Sequence, residues 1–421
     1  MNKVYHPINK VISFLYLLFP FLLITGPAIP DIFVSLSAIY CLFICIFYKK
    51  YIEIKYSFFL ILFLFYFSIV LSSILSNYQL FSLESSVPYI RFIFFSILIM
   101  ILIKDNNIYF KDYIFIIIFI AVLLVTLDTF TQFFFRTEIF GNKIDPDQNR
   151  LTGPFRDDER IVGSYLSKFI FIAFGYLLYY FKKSKFIFLS FIFLLIVYIC
   201  IFLTGERMAF ISTTFGIFLL LFFNLRYFKF FILTIIFTSI ISLFVITNNE
   251  LVKNRMLNTT LHVMGFNYED GKIVKSENNF LDSHYGAHYL TAYEIFKDNI
   301  SFGSGPKTFR IVCSDDKYSN LPSKNIDIRC STHPHNYYLQ ILSDAGIISF
   351  ALFVSGFILF IIYLIKRLNF NNPLHNCTFI TFLLFLWPIQ STGSIFNNWY
   401  GVYLFYYIGL FFILITEKKE N

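Results

Sequence analysis

The chain has 421 residues, of which 57% are hydrophobic, 22% aromatic and 14% charged, with a formal net charge of +8. A soluble domain carries nearer a quarter charged residues, and the apolar residues here come in runs of about twenty, the length of a bilayer-crossing helix. These figures exclude an ordinary soluble fold and imply an all-α polytopic membrane protein.

Hydropathy places about twelve spans: Val11–Gly26, Ile32–Tyr48, Ser57–Leu75, Pro88–Ile103, Ile114–Phe135, Ile161–Phe181, Phe186–Leu203, Met208–Phe223, Phe230–Ile246, Gly346–Ile365, Cys377–Gly393 and Tyr400–Thr416. The sixty Phe are expected to face lipid or fill the bundle. The first run follows Lys3 and Lys10, lacks a small-residue cleavage site and is succeeded by a second run. It is therefore expected to stay as a span rather than be removed as a signal. Basic clusters follow the even-numbered spans: Lys49, Lys50 and Lys55; Lys104 and Lys111; Lys182, Lys183 and Lys185; Arg226 and Lys229; Lys366 and Arg367; Lys418 and Lys419. All fall on the side of the N-terminus, so both termini are expected in the cytoplasm. The chain then divides into a first bundle of nine spans (1–246) with an outer basic loop at 136–160, a large outer loop (247–336) between the ninth and tenth spans, and a last bundle (337–421). No internal repeat supports an inverted-repeat transporter.

The loop at 136–160 holds Arg150, Arg156 and Arg160, although basic residues are disfavoured in short translocated loops. Lys168 follows inside the sixth span, and Arg207 sits in a minimal turn after Thr204-Gly-Glu206. A basic side chain at membrane depth is a functional candidate. Arginine's fork matches phosphate oxygens, so outward-facing guanidiniums suit a lipid-linked pyrophosphate. Two plainer readings stand beside this one. Arg150, Arg156 and Arg160 can pair with Asp157, Asp158 and Glu159 in a solvated loop, and Lys168 can snorkel.

In the large loop, a helix starting at Asp282 or Ser283 sets His284 and His288 one turn apart. Tyr285 stands where a zinc-hydrolase motif needs Glu, and no further ligand cluster is evident, so no metal is expected. Gly303-Ser-Gly305 lacks the lysine of a nucleotide loop and reads as a turn that returns the chain to the membrane. Cys313 and Cys330 are the two cysteines outside the spans and face the oxidising side of a bacterial-type envelope, which predicts a disulfide.

The loop ends in Ser331–Gly346, STHPHNYYLQILSDAG. Pro334 suits a first helical turn, with Thr332 or His333 near the N-cap. His335 then lies at the mouth of a span, where a helix N-terminus favours the neutral imidazole that a general base requires. The alternative is a polar helix start that happens to hold histidine.

These residues add up to a resemblance. His335-Asn336, nine residues, then Gly346-Ile-Ile-Ser349 resembles the signature of the O-antigen ligase family. Ser349 stands where that family usually has Gly, Thr or Val. Arg150-Leu-Thr-Gly-Pro-Phe155, Thr204-Gly-Glu-Arg207, Gly303-Ser-Gly305 before Phe309, and Pro388–Asn398 resemble the wider ligase and polymerase superfamily. The resemblance implies a helical membrane fold akin to the C class of glycosyltransferases. It implies transfer of a glycan from undecaprenyl pyrophosphate, on the periplasmic face of the bacterial inner membrane, to an acceptor such as lipid A core. Neither metal nor nucleotide cofactor is implied. Carried over onto this chain, His335 is the base, Arg150 and Arg207 neutralise the leaving pyrophosphate, and Arg156, Arg160, His333 and Asn336 complete the substrate-binding set. An O-antigen or exopolysaccharide polymerase is the nearer alternative, and a transporter the farther one.

Overall fold

The computed structural model describes residues 6–48, 57–105, 108–139, 141, 150–155, 160–181, 183–223, 225–269, 271–389, 391 and 393–417. Among them, nine helices are long and apolar enough to cross a membrane: Ala28–Tyr48, Phe58–Leu75, Gln79–Lys104, Lys111–Phe135, Val162–Tyr180, Ser184–Leu203, Leu225–Asn248, Tyr337–Arg367 and Asn398–Thr416. Helices satisfy every backbone group within the segment, which a lipid environment demands. The chain is an all-α polytopic membrane protein.

The other three predicted spans are helical but short. Arg207–Phe223 and Pro373–Phe385 fall below full crossing length. The first divides into His6–Leu17 and Phe19–Ile24, with Pro20 in the first turn of the second piece. Proline has no N–H for a continuous ladder, so the helix restarts there.

Composition is partitioned by face. On Ala28–Tyr48, Ile32, Leu36, Ile39, Phe43 and Ile46 are exposed while Phe33, Val34, Ser37, Cys41 and Ile44 are buried. That 3.6-residue alternation sets a lipid face against a packed face. Val162–Tyr180 lies deep in the bundle, buried from Phe169 through Phe174. Aromatic side chains join the first and last segments across it. The Tyr16 hydroxyl donates to Tyr406 O at 3.0 Å, Tyr165 to Pro20 O at 3.0 Å and Tyr407 to Lys168 O at 3.0 Å.

Between Leu225–Asn248 and Tyr337–Arg367 lies the large loop. It holds the antiparallel hairpin Phe266–Glu269/Lys272–Lys275 and the helix His284–Asp298. Ser283 caps that helix by accepting from Gly286 N at 3.1 Å. Cys313 and Cys330 are paired, with their Cα atoms 5.3 Å apart.

The loop is locked to the bundle where Tyr337–Arg367 breaks. Gly346 sits at φ 76°, and the helix resumes beyond it. Carbonyls freed by such a break need new donors. Ser304 N donates to Ser343 O at 2.9 Å and Gly305 N to Asp344 O at 2.7 Å. In return Ile347 N donates to Ile300 O at 2.8 Å. The Asp344 carboxylate accepts from Lys307 N at 3.1 Å, Phe309 N at 3.0 Å and Gln340 Nε2 at 3.1 Å. A Cβ on Gly303 would stand 2.4 Å from Ala345 N, and one on Gly346 2.4 Å from Ser301 O. Gly303-Ser-Gly305 is thus the turn expected from the sequence, and its partner is the break at Gly346. The sequence-based start of the tenth span at Gly346 marks this break. The helix itself begins nine residues earlier, at Tyr337.

Candidate active site

A cleft of about 1230 Å³ opens between the large loop and the bundle. Arg150, Arg160, Arg207, His333, His335 and Asn336 all line it, although they span nearly two hundred residues of sequence. Arg156 lies outside the described residues.

The arginine side is built on two turns. Arg150–Phe155 is pinned: Gln132 Oε1 accepts from Thr152 N at 3.0 Å and Gly153 N at 2.8 Å, and Leu151 N donates to Thr204 O at 3.3 Å. This holds Arg150 against the Thr204–Arg207 turn. Glu206 is buried and uses its carboxylate as a cap. It accepts from Gly163 N at 2.7 Å and Ser164 N at 3.0 Å, at the start of Val162–Tyr180. Burial raises the Glu206 carboxyl above its ordinary range, opposed by the Arg150 charge and by these amide bonds. Arg150 Nη2 lies 3.7 Å from Glu206 Oε2 and also donates to the Arg160 carbonyl. Arg207 begins its helix at the same turn.

Arg255 completes this side and escaped the sequence reading. It sits on the π-helical turn Asn254–Asn258, and its Nε donates to Gly205 O at 3.2 Å. Burial lowers its pKa, and the charges of Arg207 and Arg150 lower it further. Four guanidiniums therefore line the cleft with one carboxylate among its described residues, and arginine does not lose its proton at accessible pH. Four guanidiniums against one carboxylate leave an excess of positive charge that can hold an anion. One signal in the sequence could have found Arg255: like Arg150, it is a basic residue in a loop beside a span.

The histidine side comes from the loop helix and the segment before Tyr337. His333 and His335 rings are 4.4 Å apart between centroids, His335 and His288 5.3 Å, and His335 and Tyr285 5.7 Å. Ser331 Oγ lies 3.3 Å from His335 Nε2. His335 adopts φ 57°, which side chains with a Cβ rarely take. The cause lies next door. Asn336, not Thr332 or His333, is the N-cap, and its side-chain Oδ1 accepts from Tyr338 N at 3.0 Å and Leu339 N at 3.1 Å. Its Nδ2 donates to Pro388 O at 2.9 Å. Capping thus occupies the Asn336 side chain, while His335 lies just outside the helix and turns into the cleft. Burial drives its imidazole down to about 3, aided by His333, His288 and His284. His284 links the two sides, since Arg207 and Arg255 both disfavour its protonation. Tyr285 and Tyr289, one turn apart on the same helix, also line the cleft and went unnoticed in the sequence.

Lys168 does not snorkel outward. Its Nζ donates to Ser164 O at 3.2 Å and lies 5.2 Å from the centre of the Tyr403 ring. Among the described residues no group of three His, Cys, Asp or Glu side chains is arranged to hold a metal ion.

A neutral, buried imidazole facing an anion-binding cluster can remove a proton from one substrate while the guanidiniums hold the phosphates of another. No curated protein matches the chain. The family model described as O-antigen ligase matches residues 191–354, a stretch that includes Arg207, Arg255, His288, His335 and Asn336. By that match, and by the Thr204–Arg207 and His335–Asn336 motifs inside it, residues 191–354 are similar to the O-antigen ligase family.

Proposed function

We propose that the protein moves a glycan from an undecaprenyl-pyrophosphate carrier onto an acceptor, lipid A core in the first instance, at the outer face of the inner membrane. The observation that carries this reading is the meeting of His335 with Arg150, Arg160, Arg207 and Arg255 in one cleft. His335 takes the proton of the acceptor hydroxyl, the oxygen attacks the anomeric carbon, and the bond to pyrophosphate breaks with its electrons leaving on phosphate. The arginines neutralise that charge as it develops. Pyrophosphate is already a good leaving group, so the protein's main work is positioning. No metal takes part in this scheme, and transfer is expected to persist in a chelator.

In the membrane, twelve segments cross or enter the bilayer, with both termini cytoplasmic and residues 247–336 and 136–160 outside. The arrangement 1–246, 247–336 and 337–421 follows, and the fold is akin to the C class of glycosyltransferases. The Cys313–Cys330 disulfide tethers the segment leading into the histidines.

The test is transfer from a lipid-linked donor by membranes carrying the wild-type protein, His335→Ala or Arg207→Ala at matched expression. Loss of about 10²–10⁴-fold is expected for His335→Ala, the usual worth of a positioned base. Undiminished transfer would remove the assignment. Product analysis separates the acceptors: glycan on lipid A core marks a ligase, and a ladder confined to the carrier marks a polymerase.

A further inference from the structure

Beside the cleft, packed against His335, lies a further histidine that does not itself line it. His288 is 5% exposed, on the buried face of His284–Asp298. The carbonyl of Ile328 draws a proton onto its ring, while its Nδ1 is buried with no hydrogen-bond partner. A buried acceptor left without a donor is costly, so an open nitrogen beside a second ring calls for a partner. His335 is the adjacent ring, 5.3 Å between centroids with the planes inclined at 34°. No hydrogen bond joins the two rings in the structure, but at this separation a rotation of either ring would bring a nitrogen of each within reach of the other.

On the reading of His335 as base, we propose that His288 is its positioning residue: His288 Nδ1 accepts the Nδ1–H of His335, which leaves His335 Nε2 free to take the acceptor's proton. Three observations fit together under this assignment. The Ile328 carbonyl acts on the His288 ring while Nδ1 is left without a partner, which suits Nδ1 as the acceptor. Ser331 Oγ already lies 3.3 Å from His335 Nε2, where an incoming sugar hydroxyl would replace it. The charges acting on His335 come from histidines and not from a carboxylate, so the orienting partner that a hydrolase triad draws from Asp is here a neutral ring. During transfer the acceptor O–H bond breaks and its proton goes to Nε2. The resulting imidazolium keeps its Nδ1–H on His288, and the proton is later released to solvent or to the departing pyrophosphate. Protonation of His335 thereby favours forming the bond to His288, without a second buried charge.

The assignment is tested on the full-length protein in lipid nanodiscs. Nitrogen NMR of histidine-labelled protein, with His335 assigned by its loss in His335→Gln, is expected to show the Nδ1–H tautomer. An Nε2–H tautomer in the wild type would overturn the proposal without reference to activity. His288→Phe keeps a ring of comparable shape but no acceptor, and is expected to lower kcat by about 10²-fold with little change in KM for the donor. His288→Asn, which keeps an acceptor near the Nδ1 position, is expected to recover part of that loss. Normal kcat in His288→Phe together with lost transfer in His335→Ala sinks this proposal alone, whereas normal transfer in His335→Ala sinks the base assignment beneath it.

Discussion

His335 holds its backbone at φ 57° while its ring lies in a cleft with four arginines. Strain of this kind persists where the surroundings over-determine it, here through the cap at Asn336 and the packing of His288 and His333. Because its folded value lies near 3, His335 stays neutral through the range in which a free histidine would titrate. Transfer is therefore expected to be flat from about pH 5 to pH 7, with no acid limb at the ordinary histidine value near 6.5. A pH–rate profile of kcat/KM checks this. The same shift has a stability consequence of definite sign. Below about pH 6.5 the unfolded chain takes up protons on His335 and His288 that the folded chain refuses until about 3 and 4, so the fold weakens as pH falls through that window. Arg255 carries a separate prediction. Truncating one charge-assisted contact is worth about 1.5–3 kcal/mol, so Arg255→Ala should weaken donor binding by about 10- to 100-fold. Competition of inorganic pyrophosphate against transfer, compared between wild type and variant, reads that change. Arg255 was overlooked in the sequence because Asn254–Asn258 carries no motif. The same outer-loop criterion that singled out Arg150 applies to it.

The element that positions these residues is the junction between the loop turn Asn299–Thr308 and the break at Gly346. Two backbones meet there: a Cβ on Gly303 would run into the Asp344–Ala345 backbone, and one on Gly346 into the Ser301–Phe302 backbone. Gly303→Ala is expected to destabilise by more than the roughly 1–3 kcal/mol of its strained φ alone, because the new Cβ meets backbone and not a mobile side chain. Gly271 is the internal comparison: φ is 80°, yet nothing stands within 4 Å of its added Cβ. Gly271→Ala should therefore cost only the conformational share. Thermal melting of the two variants in detergent gives the contrast, and equal losses would show that the junction is not tight. The second tie is Cys313–Cys330, separated by 17 residues. Closing a loop of that size contributes about 3 kcal/mol. Cys313→Ser should lower the melting temperature, and intact-mass analysis after alkylation without reductant should find both thiols protected. From the sequence, the glycines and the cysteines were each visible as a turn and a pair. That the turn plugs a broken helix was not visible, since the partner lies some forty residues on.

At the scale of the whole molecule, the proposed topology makes a direct prediction. A cysteine placed at Asn320, in a cysteine-free background, should react with a membrane-impermeant maleimide in spheroplasts, whereas one at Lys366 should react only after lysis. Reversed labelling would invert the orientation and move the cleft to the cytoplasmic side. Residue sequence by itself determined that this is a helical membrane protein, where its apolar segments lie, and which histidine and most of the arginines to single out. Those properties are local. Transfer of a twenty-residue window into lipid, or the cost of a charge near it, depends on the residues in that window and little else. Only the tertiary structure decided that Arg150 stands on the Thr204–Arg207 turn, that Arg255 joins them, that Asn336 is occupied as a cap, and that His288 faces His335 with an open nitrogen. These depend on which distant backbone amide or carbonyl each side chain meets, and no periodicity along the chain encodes a contact between segments a hundred residues apart.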